Sequence, residues 1–214
     1  MGLVIKFEGI DGSGKTSLIS RIAKDLRSEF KILVTKEFGS PHDIIRYRYE
    51  NIKISSFLRE ISFDKNINID SIERELLMAV ASRRNNRLII HNNVNKYDII
   101  LCDRSNASNY AYGQEVSSRL SCVFDIALSD IEICDLYIFI DTPIDICMHR
   151  ISPTGTDPVE ANDFDYFERV RDSYYHFFSN IENVFFVDGS LSKSKIDEIV
   201  KQEILNRIPP VTSS

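Results

Sequence analysis

The sequence has no apolar run near the ~20 residues that a membrane-spanning helix needs; the longest, around residues 99–102 and 137–140, are strand-sized. No membrane span or membrane partner is expected. It also lacks a basic stretch leading into an apolar segment with a small-residue cleavage site, and Phe7 stands where a myristoylation motif wants Ser or Thr. The expected location is the cytoplasm. Cysteine is scarce: Cys102, Cys122, Cys134 and Cys147 form no Cys-x-x-Cys pair and no cluster with histidine, so neither zinc nor a disulfide framework is indicated. Buried free thiols are expected instead. Basic charge is not in excess. With 26 Lys and Arg against 32 Asp and Glu, a net charge of −6, there is no cationic surplus for a nucleic-acid backbone, and no nucleic-acid partner is expected.

What remains is the composition of an ordinary globular chain. At 214 residues and 43% hydrophobic content, one domain over 1–214 is expected, and disorder and fibrous repeats are excluded. Short β-branched or aromatic runs at 3–7, 31–35, 97–102, 135–140 and 183–187 read as strands. Helical spacing recurs at 15–26, 71–92, 115–128, 143–151, 164–178 and 192–204. Continuous rather than alternating apolar runs indicate strands covered on both faces. The fold class is therefore α/β: a five-stranded parallel sheet flanked by helices on both faces, in three layers. Two stretches lack periodicity, 38–43 and 152–163; the second, rich in Ser, Pro, Thr, Gly and Asp, is expected to be a lid within the domain.

The strongest local signal is Gly9-Ile-Asp-Gly12-Ser13-Gly14-Lys15-Thr16, which has the spacing G-x-x-x-x-G-K-[ST] between a strand and a helix. Glycines let backbone N–H groups converge on phosphate oxygens, and the helix N-terminus, with Ser17 in its first turn, adds partial positive charge. Lys15 bridges the terminal phosphates and Thr16 offers a hydroxyl to Mg²⁺. ATP with magnesium is the expected ligand, which makes the fold a P-loop kinase domain. A GTPase is disfavoured, because the only Asn-Lys-x-Asp, at residues 95–98, precedes a strand instead of following one. A motor-type ATPase would end its third strand in Asp-Glu; here it ends in Asp103-Arg104. A strand-end carboxylate beside the loop suits magnesium, and the adjacent guanidinium suits a second phosphate.

These pieces, taken in order, resemble the thymidylate kinase family. They are Phe7 to Thr16, then Leu76-Leu-Met-Ala-Val-Ala-Ser-Arg83, Asp103-Arg104 with Ser108 and Ala111-Tyr112, Asp135 to Pro143, and Phe164 to Tyr174. The resemblance implies phosphorylation of a deoxynucleoside monophosphate, dTMP to dTDP, by direct transfer from ATP with Mg²⁺ held by Thr16 and Asp103. It implies catalytic roles for Lys15, Asp103 and Arg104; Arg150 is a candidate to meet the charge on the transferring group where the chain departs from the family's lid. Asp11 matches a carboxylate that meets the acceptor's sugar hydroxyl, the alternative being a loop-shaping Asp. Arg83, Arg104 and Arg59 match acceptor-binding arginines, with Arg46 a rival for Arg59. Asn85, with Arg84, falls at a base-reading Gln. Ser108 belongs to the acceptor motif, and Tyr112 walls the base pocket or fills the core. Glu37 stands where related deoxynucleoside kinases place a general base. The resemblance also implies a homodimer through the apolar face of 71–92 or 115–128, faces that core packing explains equally.

Two departures stand out. Gly113 separates Tyr112 from Gln114, where the family has Tyr-Gln, and Pro158 occupies the place of a lid arginine, with no basic residue between Arg150 and Asp163. A deoxynucleoside kinase, suggested by Asp103-Arg104-Ser105, and a low-turnover nucleotide-binding homologue are the alternatives that follow.

Overall fold

Strand and helix alternate from the first element of the computed structural model, which describes residues 1–36, 49–64, 66–128, 130–151 and 163–208. β1 (Leu3–Glu8) enters the glycine loop and α1 (Lys15–Leu26), then β2 (Ile32–Lys36), α2 (Tyr49–Phe63) and α3 (Ser71–Asn85). A π-helical turn (Asn86–Ile90) continues α3 into α4 (His91–Asn93). β3 (Ile99–Asp103), α5 (Asn106–Val116), α6 (Leu120–Leu128) and β4 (Leu136–Asp141) follow, then α7 (Ile144–Arg150), α8 (Phe164–Phe178), β5 (Val184–Asp188) and α9 (Lys193–Arg207).

The five strands form one parallel sheet in the order β2-β3-β1-β4-β5. From β1 the chain passes to the β2 side, and from β4 to the β5 side. Their C-terminal ends therefore flank a topological switch point, where ligands of open α/β sheets bind. Both faces are covered, as the apolar runs require. Ile5, Phe7, Leu101 and Ile138 pack with Leu18 and Ile22 of α1 and Val200 and Ile204 of α9. On the opposite face Tyr137 and Phe139 meet Ala111, Phe167, Val170 and Tyr174 from α5 and α8, while Val4, Ile100 and Cys102 meet Ile90 and Val94. Each such side chain contributes ~1.5–3 kcal/mol on burial.

The same face of β1 carries two buried charges, Lys6 and Glu8. Lys6 pairs with Glu132, and its Nζ donates to Asn86 Oδ1 in the π-helical turn at 3.1 Å. Burial alone pushes the ammonium's pKa down; Glu132 more than offsets this and holds it above its ordinary value.

The boundaries correct the sequence reading in three places. The helix expected over 115–128 is two: α5 starts at Asn106, where Ser105 caps it by accepting from the Ala107 N–H at 3.1 Å, and Ser117 turns extended before α6. α2 was not expected at all. The helix expected over 71–92 begins on a reciprocal Asp70–Glu73 capping box and changes to π geometry at Asn86, whose side chain donates to Ser82 O. The thiols also differ from expectation: Cys102 and Cys147 are buried, Cys134 is half-buried and Cys122 is exposed. Burial pushes the Cys102 thiol up to about 12 and Cys147 up to about 11.

Candidate active site

The phosphate loop is built from backbone shapes that an L side chain resists. Gly12 and Gly14 have φ of 78° and 96°, and a Cβ at Gly12 would run into the Cys147 carbonyl on α7. Gly9, at φ 148°, passes close to the Ile140 carbonyl of β4. Gly14 caps α1 without a side chain, so the N–H groups of Lys15, Thr16 and Ser17 face the loop's mouth. Lys15 is buried, its Nζ donating to Ile10 O at 3.2 Å and lying 4.0 Å from Asp11. Burial lowers its pKa, the nearby Arg104 lowers it further, and Asp11 and Asp103 oppose both. Ser13 Oγ is buried with no hydrogen-bond partner among the described residues, a donor waiting for an acceptor. A cleft of about 470 Å³ opens over this loop, lined also by Arg150, Gly189, Leu191 and Ile196.

At the loop's inner edge, Thr16 Oγ1 donates to Asp103 Oδ2 at 2.6 Å, joining the first turn of α1 to the end of β3. A hydroxyl and a carboxylate, both hard oxygen donors at a phosphate site, are the ligand chemistry of Mg²⁺, which keeps most of its shell as water and substrate phosphate.

Beside it lies a second polar centre organised by Arg104. Its backbone is left-handed, φ 74°, the only non-glycine residue so placed among those described. Nη2 donates to Asp11 Oδ1, Nη1 donates to Ser108 Oγ at 3.0 Å and Tyr174 OH at 3.3 Å, and the guanidinium stacks 5.1 Å from the centre of the Tyr112 ring. Tyr112 OH donates to Asp11 Oδ2 at 2.9 Å. Beneath these, Glu8 is completely buried and accepts from Ser105 and Ser108, each at 2.6 Å, and from Tyr174 at 3.1 Å. Burial raises the Glu8 carboxyl despite those bonds. For Asp11 burial works the same way, but Arg104 and Lys15 overcome it and hold the carboxyl below its usual range.

A family model described as thymidylate kinase matches residues 7–203. The thymidylate kinase of Thermosipho africanus (strain TCF52B) is 30% identical over 208 residues, covering 93% of this chain and 96% of its own length. That of Limosilactobacillus reuteri (strain DSM 20016) is 30% identical over 217 residues, 96% of this chain and 97% of its own. That of Mycoplasmopsis agalactiae is 27% identical over 216 residues, 96% of each.

The chain belongs to the thymidylate kinase family.

It is accordingly a phosphotransferase, and the family's reaction phosphorylates a nucleoside monophosphate, dTMP to dTDP. Of the residues expected at a thymidylate kinase site, the structure brings Gly9, Asp11, Gly12, Ser13, Gly14, Lys15, Thr16, Ser17, Asp103, Arg104, Ser108 and Tyr112 into the two adjoining centres. Arg150, last in α7, joins them: its Nη1 donates to Gly12 O at 3.1 Å and Ser13 O at 3.4 Å. Arg83 does not. Its guanidinium is drawn instead to the C-terminal end of α6, donating to Ala127 O and pairing with Asp130 at 2.7 Å. Asn85 is buried and accepts from Thr35 Oγ1 at 2.9 Å, a link between α3 and β2. Arg59 lies exposed on α2, over the Phe63 ring. Glu37, Arg46, Pro158 and the rest of the expected lid segment up to residue 162 lie outside the described residues. Sequence reasoning missed Glu8 and Tyr174 as site residues. Both lie in stretches that resemble the family, Phe7 to Thr16 and Phe164 to Tyr174, and Glu8 is also visible as a charge ending an apolar strand, but nothing in the sequence marks Tyr174 as facing the site.

Proposed function

We propose that this thymidylate kinase passes the γ-phosphoryl group of ATP to dTMP between the two polar centres. The observation that carries the reading is their adjacency: Thr16 and Asp103 join the donor loop to the residue before Arg104, and Asp11 lies within the loop while paired to Arg104. Donor and acceptor phosphates are thus held by residues that share one short stretch of β1 and β3, as in-line transfer requires. Lys15 and the loop amides hold the β- and γ-phosphates. Thr16 and Asp103 would hold Mg²⁺, which when bound neutralises developing charge on the phosphates. Arg104 holds the acceptor phosphate, and Asp11, kept ionised by Arg104 and Lys15, orients the acceptor's sugar. Arg150 supplies a cation to the transferring group from its position over Gly12, compensating for the absence of a basic residue between it and Asp163.

The homodimer belongs to the same reading. α3 presents Ile72, Leu76 and Val80, one stripe at four-residue spacing, to solvent, and Val123 and Ile126 of α6 and Ile54 and Phe57 of α2 are exposed as well. The deciding experiment is a coupled assay of ADP release with a panel of deoxynucleosides and their monophosphates. dTMP should be the preferred acceptor, and Lys15→Met should abolish turnover in a protein that still unfolds cooperatively. Preference for thymidine over dTMP would replace this reading with a nucleoside kinase.

A further inference from the structure

Glu8 ends β1 one residue before the phosphate loop begins, and it is completely buried. Burial opposes its charge, while the Ser105 and Ser108 hydroxyls, then Arg104 and Lys15, favour it. Burying a carboxylate is costly, and a strand needs none at its end for its own geometry. What the group does there is legible in the hydrogen bonds of its partners.

Each partner is a hydroxyl, with one proton to give and lone pairs to offer. Ser105 Oγ accepts from the Ala107 N–H at 3.1 Å and donates to Glu8 Oε1 at 2.6 Å. Ser108 Oγ accepts from Arg104 Nη1 at 3.0 Å and donates to Glu8 Oε2 at 2.6 Å. Tyr174 OH accepts from the same Nη1 at 3.3 Å and donates to the same Oε2 at 3.1 Å, with Ser108 Oγ 2.8 Å away. A guanidinium only donates, so both oxygens must turn lone pairs toward it. They are free to do so because the carboxylate, which only accepts, draws their protons the other way. The three layers form a relay: a negative charge beneath the site orients two hydroxyl dipoles against the cation above them. With Nη1 held in this way and Nη2 tied to Asp11, the guanidinium is fixed through both terminal nitrogens.

We propose that Glu8 is a positioning residue for the acceptor: by drawing the protons of Ser108 and Tyr174, its carboxylate makes both oxygens acceptors for Arg104 and locks the guanidinium in place for the phosphate of the nucleoside monophosphate. This rests on the reading of Arg104 as the residue that holds that phosphate. It deepens that reading by assigning part of the acceptor's affinity to a charge that never touches the substrate. Because Gly9 and the donor loop follow directly, a Glu8 that only held the strand end together would support the donor and acceptor sites alike.

The test is the KM for dTMP, with kcat, the KM for ATP and thermal unfolding measured alongside, in the wild type, Glu8→Gln, Ser108→Ala and the double variant. Glu8→Gln keeps the shape and polarity but not the charge. Its KM for dTMP should rise about tenfold, the scale of one charge-assisted hydrogen bond, with kcat and the KM for ATP nearly unchanged. Ser108→Ala should raise it about fivefold, and the double variant about tenfold in place of the product, about fiftyfold, because the charge acts through that hydroxyl. A double variant at the product, a Gln variant equal to the wild type, or a KM for ATP that rises in step with that for dTMP would overturn the assignment while leaving dTMP phosphorylation intact. If Glu8→Gln does not fold, Tyr174→Phe decides, since it removes only the hydroxyl from a ring that stays in the core. A rise of about threefold in the KM for dTMP alone is then expected, and an unmoved KM overturns the assignment. A wild type that phosphorylates thymidine but no monophosphate overturns both readings.

Discussion

Arg104 is held in a backbone conformation that an L-residue avoids, at a cost of ~1–3 kcal/mol, sustained by its contacts with Asp11, Ser108, Tyr174 and the Tyr112 ring. Replacing it by Ala leaves the half-buried Asp11 with only the Tyr112 hydroxyl and the more distant Lys15 as partners. Arg104→Ala should therefore weaken use of dTMP by the ~1.5–3 kcal/mol of a charge-assisted hydrogen bond, with kcat/KM for dTMP falling and the KM for ATP nearly unchanged. Steady-state kinetics with each substrate varied in turn would measure it. Glu75, buried on α3, makes a prediction about stability that needs no substrate. Unfolded, it ionises near 4.5; folded, near 7, so between those values the folded chain holds a proton that the unfolded chain has lost. Stability from this group is thus full below pH 4.5, falls as pH rises to 7 and levels off above, a loss of about 3 kcal/mol. Urea unfolding at several pH values should show Glu75→Gln gaining on the wild type by up to that amount above pH 7.

Gly113 explains one of the departures from the family pattern at the scale of elements. It lies on α5 against the ring of Phe124 on α6, where an added Cβ would overlap the ring. Gly113→Ala should cost the ~1–3 kcal/mol of overpacking, read as a lower Tm, because Phe124 is itself buried and has little room to retreat. The same helix shows where sequence reading fails. All five strands lie within two residues of their expected ends, because continuous apolar runs bounded by polar turns have few other readings. α5 gave no such pattern: Ser108 and Tyr112 serve the site, Gly113 serves the α6 contact and Asn109 is buried beside them, so its inward face is largely polar and its period is hidden. The donor loop was legible because its chemistry demands fixed spacing along one stretch of chain. The acceptor centre was legible only in part, since Glu8, Arg104 and Tyr174 meet across 166 positions of sequence separation. Arg83 shows the converse, a residue matching the family's order whose guanidinium found a nearer partner in Asp130.

At the scale of the whole molecule, the exposed stripe on α3 and α6 predicts an association that surface charge should undo. Val80→Lys with Ile126→Asp should shift elution in light-scattering chromatography from a dimer to a monomer of 24.6 kDa, without lowering Tm, since neither side chain is buried in the core. A wild type that elutes as a monomer would remove the homodimer from the proposal. The two charges buried in β1 have a separate consequence, for how faithfully the chain folds. Lys6 and Glu8 alternate with Ile5 and Phe7, so the two faces of this central strand are chemically unlike. Sliding β1 by one residue against β3 or β4 would press an ammonium and a carboxylate into the aliphatic layer under α1 and α9, far from Glu132, Ser105 and Ser108. A strand made only of Val and Ile would tolerate such slippage; this one penalises every misthreaded sheet at its first pairing, so the residues that prepare the acceptor centre also act as a proofreading device during assembly.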